Sequence, residues 1–205
     1  MRLYAADYAP NPRRVLWVMA EKAISDIEVV PLDIMTHAHK SEPGIAVAGQ
    51  TSLPVLELDD GTRIAESLAI ARYLESLYPE PNLFGRDARE TAAIEMWTRR
   101  VELRMANPIM LTVRMTAPFL AVLETPNPEV GAYYRDLAGT FAKALDAHLA
   151  HQDFIAAGRF TIADIVAVTA LDFARLIRFR PDRELPNLAR WLTDMRARSA
   201  VPKAG

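Results

Sequence analysis

The chain contains no cysteine. That excludes disulfides, thiolate metal ligands and a cysteine nucleophile, and it makes a cytoplasmic setting the default expectation. Any sulfur chemistry would have to use sulfur carried by a ligand. Neither charge sign dominates: 24 Lys and Arg stand against 26 Asp and Glu, for a net charge of -2. There is accordingly no electrostatic case for nucleic acid or an anionic membrane as a partner. No apolar run reaches the roughly 20 residues that span a bilayer. Met1-Arg2-Leu3-Tyr4 starts like a strand rather than a signal peptide. Internal repeats and low-complexity segments are lacking as well. What remains is an ordinary globular composition, with 205 residues, 51% of them hydrophobic, enough for one large domain or two small ones.

Strand and helix signals alternate in the first eighty or so residues and then give way to helix alone. Arg2-Leu3-Tyr4-Ala5 reads as a short strand. Asn11-Pro12 reads as a helix start, with Asn at the cap and Pro at the first helical position. Val15, Leu16, Met19, Ala20 and Ala23 recur at helical spacing, which predicts a helix over 12–24. Ile27 to Leu32 reads as a strand, and 33–52 as a loop with at most one helical turn. Leu53–Leu58 and Thr62–Ile64 flank Asp59-Asp60-Gly61, a hairpin signal. Residues 66–78 read as a helix stopped by Tyr78-Pro79. The expected order is βαβ then ββα over 1–78, a linker at 79–87, and an all-helical part over 88–205. Helices are expected at 88–117, bent by Pro108, and at 129–150, 162–177 and 187–198. Thr161-Ile162-Ala163-Asp164 fits a capping box with Asp in place of Glu, and Phe160 and Ile165 fit a hydrophobic staple.

The most informative stretch is Leu53-Pro54-Val55-Leu56-Glu57-Leu58, followed by Glu66-Ser67-Leu68-Ala69-Ile70. A strand entered through proline, a turn, and a helix entered through an acid and a hydroxyl can hold a peptide backbone at one end. A carboxylate can sit at the other, where a helix N-terminus offers free N–H groups and partial positive charge. Asn11 at the mouth of the first helix reads as a plain cap or as a donor to a ligand. Met96, Trp97, Met105, Met110 and Met115 on the helix at 88–117 read as core before they read as a pocket.

Together these residues resemble the soluble glutathione transferase family over nearly the whole chain. Ala9-Pro10-Asn11-Pro12-Arg13-Arg14-Val15 looks like bacterial members, with some similarity to the nu class. The resemblance implies a thioredoxin-like domain plus a helical domain, usually in a homodimer. It implies glutathione as co-substrate, no metal, and conjugation to an electrophile or thiol–disulfide exchange, with a second substrate lying against the helix at 88–117. It also implies a cis Pro54, with the Leu53 backbone pairing the cysteinyl part of glutathione. Glu66 would pair the γ-glutamyl ammonium and Ser67 its carboxylate. His39 and Lys40, fifteen and fourteen residues before Pro54, would lie near the glycyl carboxylate, and Ser52 beside the tripeptide. One departure stands out: Ala9 occupies the place where many relatives carry a Ser or Thr that activates the sulfur. Asn11 and Tyr8 remain as candidate donors. The loop Ala48-Gly49-Gln50-Thr51-Ser52 departs as well. The alternative reading is a non-catalytic member that binds ligands or another protein, and Ala9 is its main support.

Overall fold

A computed structural model describes residues 1–41, 46, 52–198 and 200, without the side chains of Lys40 and Ser41. The backbone divides into two compact units, Met1–Pro81 and Asn82–Ser199. In the first unit the order is β1 (Arg2–Ala5), α1 (Pro10–Glu21), β2 (Glu28–Pro31), α2 (Ala38–Ser41), β3 (Val55–Glu57), β4 (Arg63–Ala65) and α3 (Ser67–Leu77). The strands form one sheet in the order β2-β1-β3-β4. β1 and β2 run parallel, with Leu3 opposite Val29, while β3 is antiparallel to both β1 and β4. This is the thioredoxin-like order expected from the sequence. Leu3, Val55, Leu56, Trp17, Val18 and Ile70 are almost completely buried and belong to the core of this unit.

Helix α1 begins earlier than the sequence suggests. Ala9 is its N-cap in extended geometry, and Pro10 and Asn11 already lie inside the helix. Asn11 is thus not the cap, and the expected range of 12–24 shifts toward the N-terminus. The physical reason is that a first turn tolerates more than one proline. The leading N–H groups of a helix have no intrahelical partner, so Pro10 and Pro12 give up nothing there. Arg13 N–H makes the first closing bond, to Ala9 O at 3.2 Å. The far ends of α1 and α3 are tied together by Lys22. Its buried ammonium donates to Tyr78 O and Pro81 O at 2.7 and 2.8 Å and pairs with Glu75 at 2.7 Å.

The second unit is all helical among its described residues. It comprises α4 (Ala88–Val101), a π-helical turn (Glu102–Ala106), α5 (Asn107–Thr116), a 3-10 segment (Pro118–Val122), α6 (Pro128–Leu149), α7 (Ile162–Ala174) with 3-10 turns at Arg175–Ile177 and Pro181–Arg183, and α8 (Pro186–Arg196). Where the sequence predicts a bend at Pro108, the helix is interrupted just before it by the π-turn, in which Asn107 N–H reaches back to Glu102 O. Pro108 has no N–H for the carbonyl four residues back, so the regular ladder is interrupted there in any case. The capping box of α7 is present. Asp164 is fully buried, and its carboxylate accepts from Thr161 N–H at 2.9 Å, Thr161 Oγ1 at 3.1 Å, Ile155 N–H at 3.0 Å and Trp191 Nε1 at 3.1 Å. Phe160 and Ile165, the expected staple pair, are both buried. Among the described residues no helix is long and apolar enough to cross a membrane.

Candidate functional site

The sheet register determines which loops meet. β1 and β2 are parallel and β3 is antiparallel to β1 and β4, so the carboxyl ends of β1, β2 and β4 lie at the same end as the start of β3. Val55 pairs with Tyr4 on one side and with Ala65 on the other. Continuing that register sets Leu53 and Pro54 beside Glu66 and Ser67, although they are far apart in sequence. The segments that leave this end are 6–9, running into α1; 32–37, running into α2; 52–54; and 66–67, running into α3. Tyr8, Asn11, His39, Lys40, Ser52, Leu53, Pro54, Glu66 and Ser67 each lie on one of these segments or on the first turn of the helix that follows it.

The start of α3 gathers hydrogen-bond donors. Ile70 N–H makes the first closing bond, to Glu66 O at 3.0 Å, so the N–H groups of Ser67, Leu68 and Ala69 lie ahead of the ladder. Ser67 is buried, and its Oγ accepts from the Arg14 guanidinium at 3.3 Å. An oxygen that accepts from Arg14 keeps its own hydrogen to give elsewhere. Arg14 is only 3% exposed. The sequence reading missed it, because an arginine within a helical pattern reads as a solvated position. The signal it does carry is positional: it stands four residues before Val18 and shares the buried face of α1 with Val18 and Trp17.

Glu66 is exposed and has φ +69° and ψ +117°. A non-glycine residue held there costs about 1–3 kcal/mol, and such strain concentrates at binding sites. Pro54 is buried, its peptide bond with Leu53 is cis, and Ser52 is exposed. His39 is buried in α2, and its ring stacks against His37 with centroids 6.4 Å apart. The Lys40 side chain and the departing loop residues 48–51 lie outside the described residues.

The start of α1 is the sparser counterpart. Ala9 contributes no side-chain cap, and Pro10 and Pro12 have no N–H, which leaves Asn11 N–H as the backbone donor ahead of the ladder. Asn11 Oδ1 is buried without a hydrogen-bond partner among the described residues. A buried, unpaired amide end costs about 1–3 kcal/mol, which a ligand can recover.

Tyr8 is engaged differently. Its hydroxyl donates to Asp33 Oδ1 at 2.8 Å and accepts from Ile34 N–H at 2.9 Å. Asp33 also accepts from Met35 N–H, at 2.8 Å. Desolvation and the Asp33 contact raise the Tyr8 pKa, and the Tyr8 bond lowers that of Asp33. Tyr8 therefore holds the loop that leads into α2, and its one hydrogen is committed to Asp33. Among the described residues no cluster of His, Asp or Glu is arranged to hold a metal ion.

Residues 3–82 match the family model of the glutathione S-transferase N-terminal domain, and residues 112–199 match that of the C-terminal domain. Glutathione S-transferase 2 of Saccharomyces cerevisiae is 32% identical over 99% of this chain and 88% of its own length. Glutathione S-transferase 3 of Zea mays is 33% identical over 99% of this chain and 92% of its own. The crystal structure of Gtt2 from Saccharomyces cerevisiae superimposes with a TM-score of 0.91 at 32% identity, covering 98% of both chains.

Proposed function

This chain belongs to the glutathione S-transferase family, and on that premise we propose that it binds glutathione at the sheet end described above and transfers its sulfur to an electrophile. The observation that carries this reading is the start of α3, where unpaired N–H groups, the Ser67 hydroxyl and a buried Arg14 guanidinium converge. That is a receptor for a carboxylate, and the γ-glutamyl end of glutathione supplies one. Arg14 holds the Ser67 oxygen, so the Ser67 hydrogen points to the ligand. Glu66, exposed beside it, pairs the γ-glutamyl ammonium. The Leu53 backbone, next to Pro54 and outside the β3 ladder, pairs the cysteinyl part of the tripeptide. His39, Lys40 and Ser52 take the glycyl end. In this division 1–78 is the glutathione-binding domain, 79–87 the linker and 88–205 the helical domain.

The chemical step is formation of a sulfur–carbon bond by a thiolate. A free thiol ionises near pKa 8.5, so the protein must favour the anion. Asn11 serves that role, with its amide and its backbone N–H both at the positive end of α1. Asn11 cannot accept the thiol proton as a base, so the proton leaves to solvent as the anion forms. The thiolate then attacks the electrophilic carbon, and the carbon's leaving group departs with the bonding pair. The same thiolate attacking a disulfide gives exchange, with the second sulfur leaving as thiolate. Tyr8 is assigned to holding the 33–36 loop and not to the sulfur. Exposed Met96 on α4 and Leu103 in the π-turn, at 43% and 54%, support a contact face for a homodimer. A cytoplasmic setting agrees with a chain that has no cysteine to protect.

Thermal or denaturant unfolding with glutathione tests the reading. Glutathione at a hundred times its Kd should add about 2.7 kcal/mol of stability. No shift at millimolar glutathione would eliminate the transferase and leave a protein that uses this fold to bind something else.

A further inference from the structure

Tyr8 is a surface tyrosine whose hydroxyl both donates and accepts. It is 47% exposed, so burial of the ring is not what holds it in place. The phenol bridges two adjacent residues of another loop, Asp33 and Ile34, from 25 and 26 residues away. That loop enters α2 through an unfavourable backbone. His37, the last residue before α2 (Ala38–Ser41), has φ +58°. A non-glycine residue stays in that region only where its surroundings over-determine it.

The bonds that hold the turn start from Asp33 and Ile34. Asp33 Oδ1 accepts from Met35 N–H as well as from Tyr8. Asp33 O accepts from Thr36 Oγ1 and from Ala38 N–H, both at 3.2 Å. Ile34 O accepts from His37 N–H at 3.0 Å. Tyr8 thus fastens the two residues on which the turn is built. Its bond also holds the Asp33 carboxyl below the usual range, so the acceptor is a carboxylate and the bond is charge-assisted. What the turn delivers is α2, with buried His39 and with Lys40, the pair that takes the glycyl end of the tripeptide. The Ser67 oxygen at the γ-glutamyl end is held separately, by Arg14.

We propose that, given the glutathione site on which this rests, the Tyr8–Asp33 pair sets its specificity among thiols. Tyr8 is a positioning residue. Through Asp33 and Ile34 it holds α2 where the glycyl carboxylate is received, and so favours the tripeptide over a thiol that ends at cysteine.

The test is calorimetric titration of the full-length chain with glutathione and, separately, with γ-glutamylcysteine, which lacks the glycine. The parent should prefer glutathione. Tyr8→Phe should lose about tenfold in affinity for glutathione, the size of one hydrogen bond to a charged group, and nothing for γ-glutamylcysteine. Intact γ-glutamylcysteine binding also shows that the variant is folded. Asp33→Ala should reproduce the selective loss, and Tyr8→Phe added to it should cost nothing further, because the two side chains act as one unit. Asp33→Asn keeps an acceptor oxygen and should recover part of the loss. Parental glutathione affinity in Tyr8→Phe would overturn the proposal. An equal loss of both ligands would also overturn it, since Tyr8 would then act on the whole site or on the sulfur, and so would a parent with no preference between them. A parent that binds neither ligand overturns the glutathione reading itself and this proposal with it, whereas the other outcomes, read on a parent that binds glutathione, overturn the proposal alone.

Discussion

Helices α3 and α7 begin under the same physical demand and meet it in opposite ways. A helix N-terminus presents unpaired N–H groups and partial positive charge, and an anion satisfies both. At α7 the chain supplies its own anion, since Asp164 turns back from the first turn and accepts from Thr161, Ile155 and Trp191 in a fully buried setting. At α3 no side chain among the described residues caps the helix, and Glu66 in the capping place sits at φ +69° with its side chain exposed. Arg14 and Ser67 add donors there instead of an acceptor. An end closed by its own carboxylate is a structural joint, and an end furnished with the Ser67 hydroxyl and free N–H groups is, on the proposed function, a receptor. Helix α1 falls between the two, with Asn11 N–H ahead of its ladder and an amide oxygen without a partner among the described residues.

The largest effect should come from opening the closed end. Asp164→Ala strands the N–H groups of Thr161, Ile155 and Trp191 in the core, at about 1–3 kcal/mol each. Denaturant unfolding should therefore find the variant severely destabilised or unfolded. The pH dependence sharpens the same point. Burial pushes the Asp164 pKa up to about 6, against the hydrogen bonds that lower it. An unfolded chain ionises Asp near 3.9. Between those values the folded chain binds the extra proton, so the stability linked to Asp164 is fully present below about pH 4 and is lost as pH rises through 6. The parent should lose stability relative to Asp164→Asn over that window, by on the order of a few kcal/mol. A pH-independent difference between the two would mean that the carboxylate is ionised throughout.

The second effect tests the open end. Arg14→Leu removes the guanidinium that holds the Ser67 oxygen. Calorimetric titration should show glutathione affinity falling about a hundredfold, the upper size of a hydrogen bond to a charged group. Arg14→Lys should recover only part of it, because an ammonium cannot reproduce the guanidinium fork. Unchanged affinity in Arg14→Leu would make α3 another structural joint and remove the contrast with α7.

These helix starts also show why some parts of the molecule were legible in the sequence and others were not. The α7 closure is a local signal, with Thr161 and Asp164 three residues apart and an apolar residue on either side. The Glu66-Ser67 pair at α3 is equally local. Arg14 lies 53 residues from Ser67, and only the packing of α1 against α3 makes them neighbours. The sequence pattern places the start of α1 two residues late, because Asn is a strong cap former and one proline suffices to mark a first turn, whereas Pro10 and Pro12 both fit there. The π-turn at Glu102–Ala106 leaves the apolar spacing almost unchanged, so Pro108 announced a bend without its form. The convergence of 52–54 with 66–67 follows from the hairpin register, which the turn at Asp59-Asp60-Gly61 already implied.

At α1 the expected effect is on turnover. Asn11→Ala removes the amide while leaving the helix intact, because Ala9 and not Asn11 is the cap and alanine favours helix. Steady-state kinetics should show kcat reduced by tens to about a hundredfold with KM for glutathione little changed. The pH–rate profile should move to higher pH as the thiol becomes harder to ionise. Unchanged kcat with a lower melting temperature would return Asn11 to a structural part.

The smallest effect separates the charge of Glu66 from its strained backbone, and it does so with two substitutions at one position. Glu66→Ala removes the carboxylate but keeps a side chain at φ +69°, so stability should hold while glutathione affinity falls about tenfold. Glu66→Gly removes both the carboxylate and the strain, so the same tenfold loss should come with about 1 kcal/mol of added stability. That pair of outcomes would show that the glutamate is kept for glutathione at a cost in stability. Glycine at Glu66 with undiminished glutathione affinity would mean that the strain comes from the turn between β4 and α3 alone, and α3 would then bind through Arg14, Ser67 and its N–H groups without help from its acid.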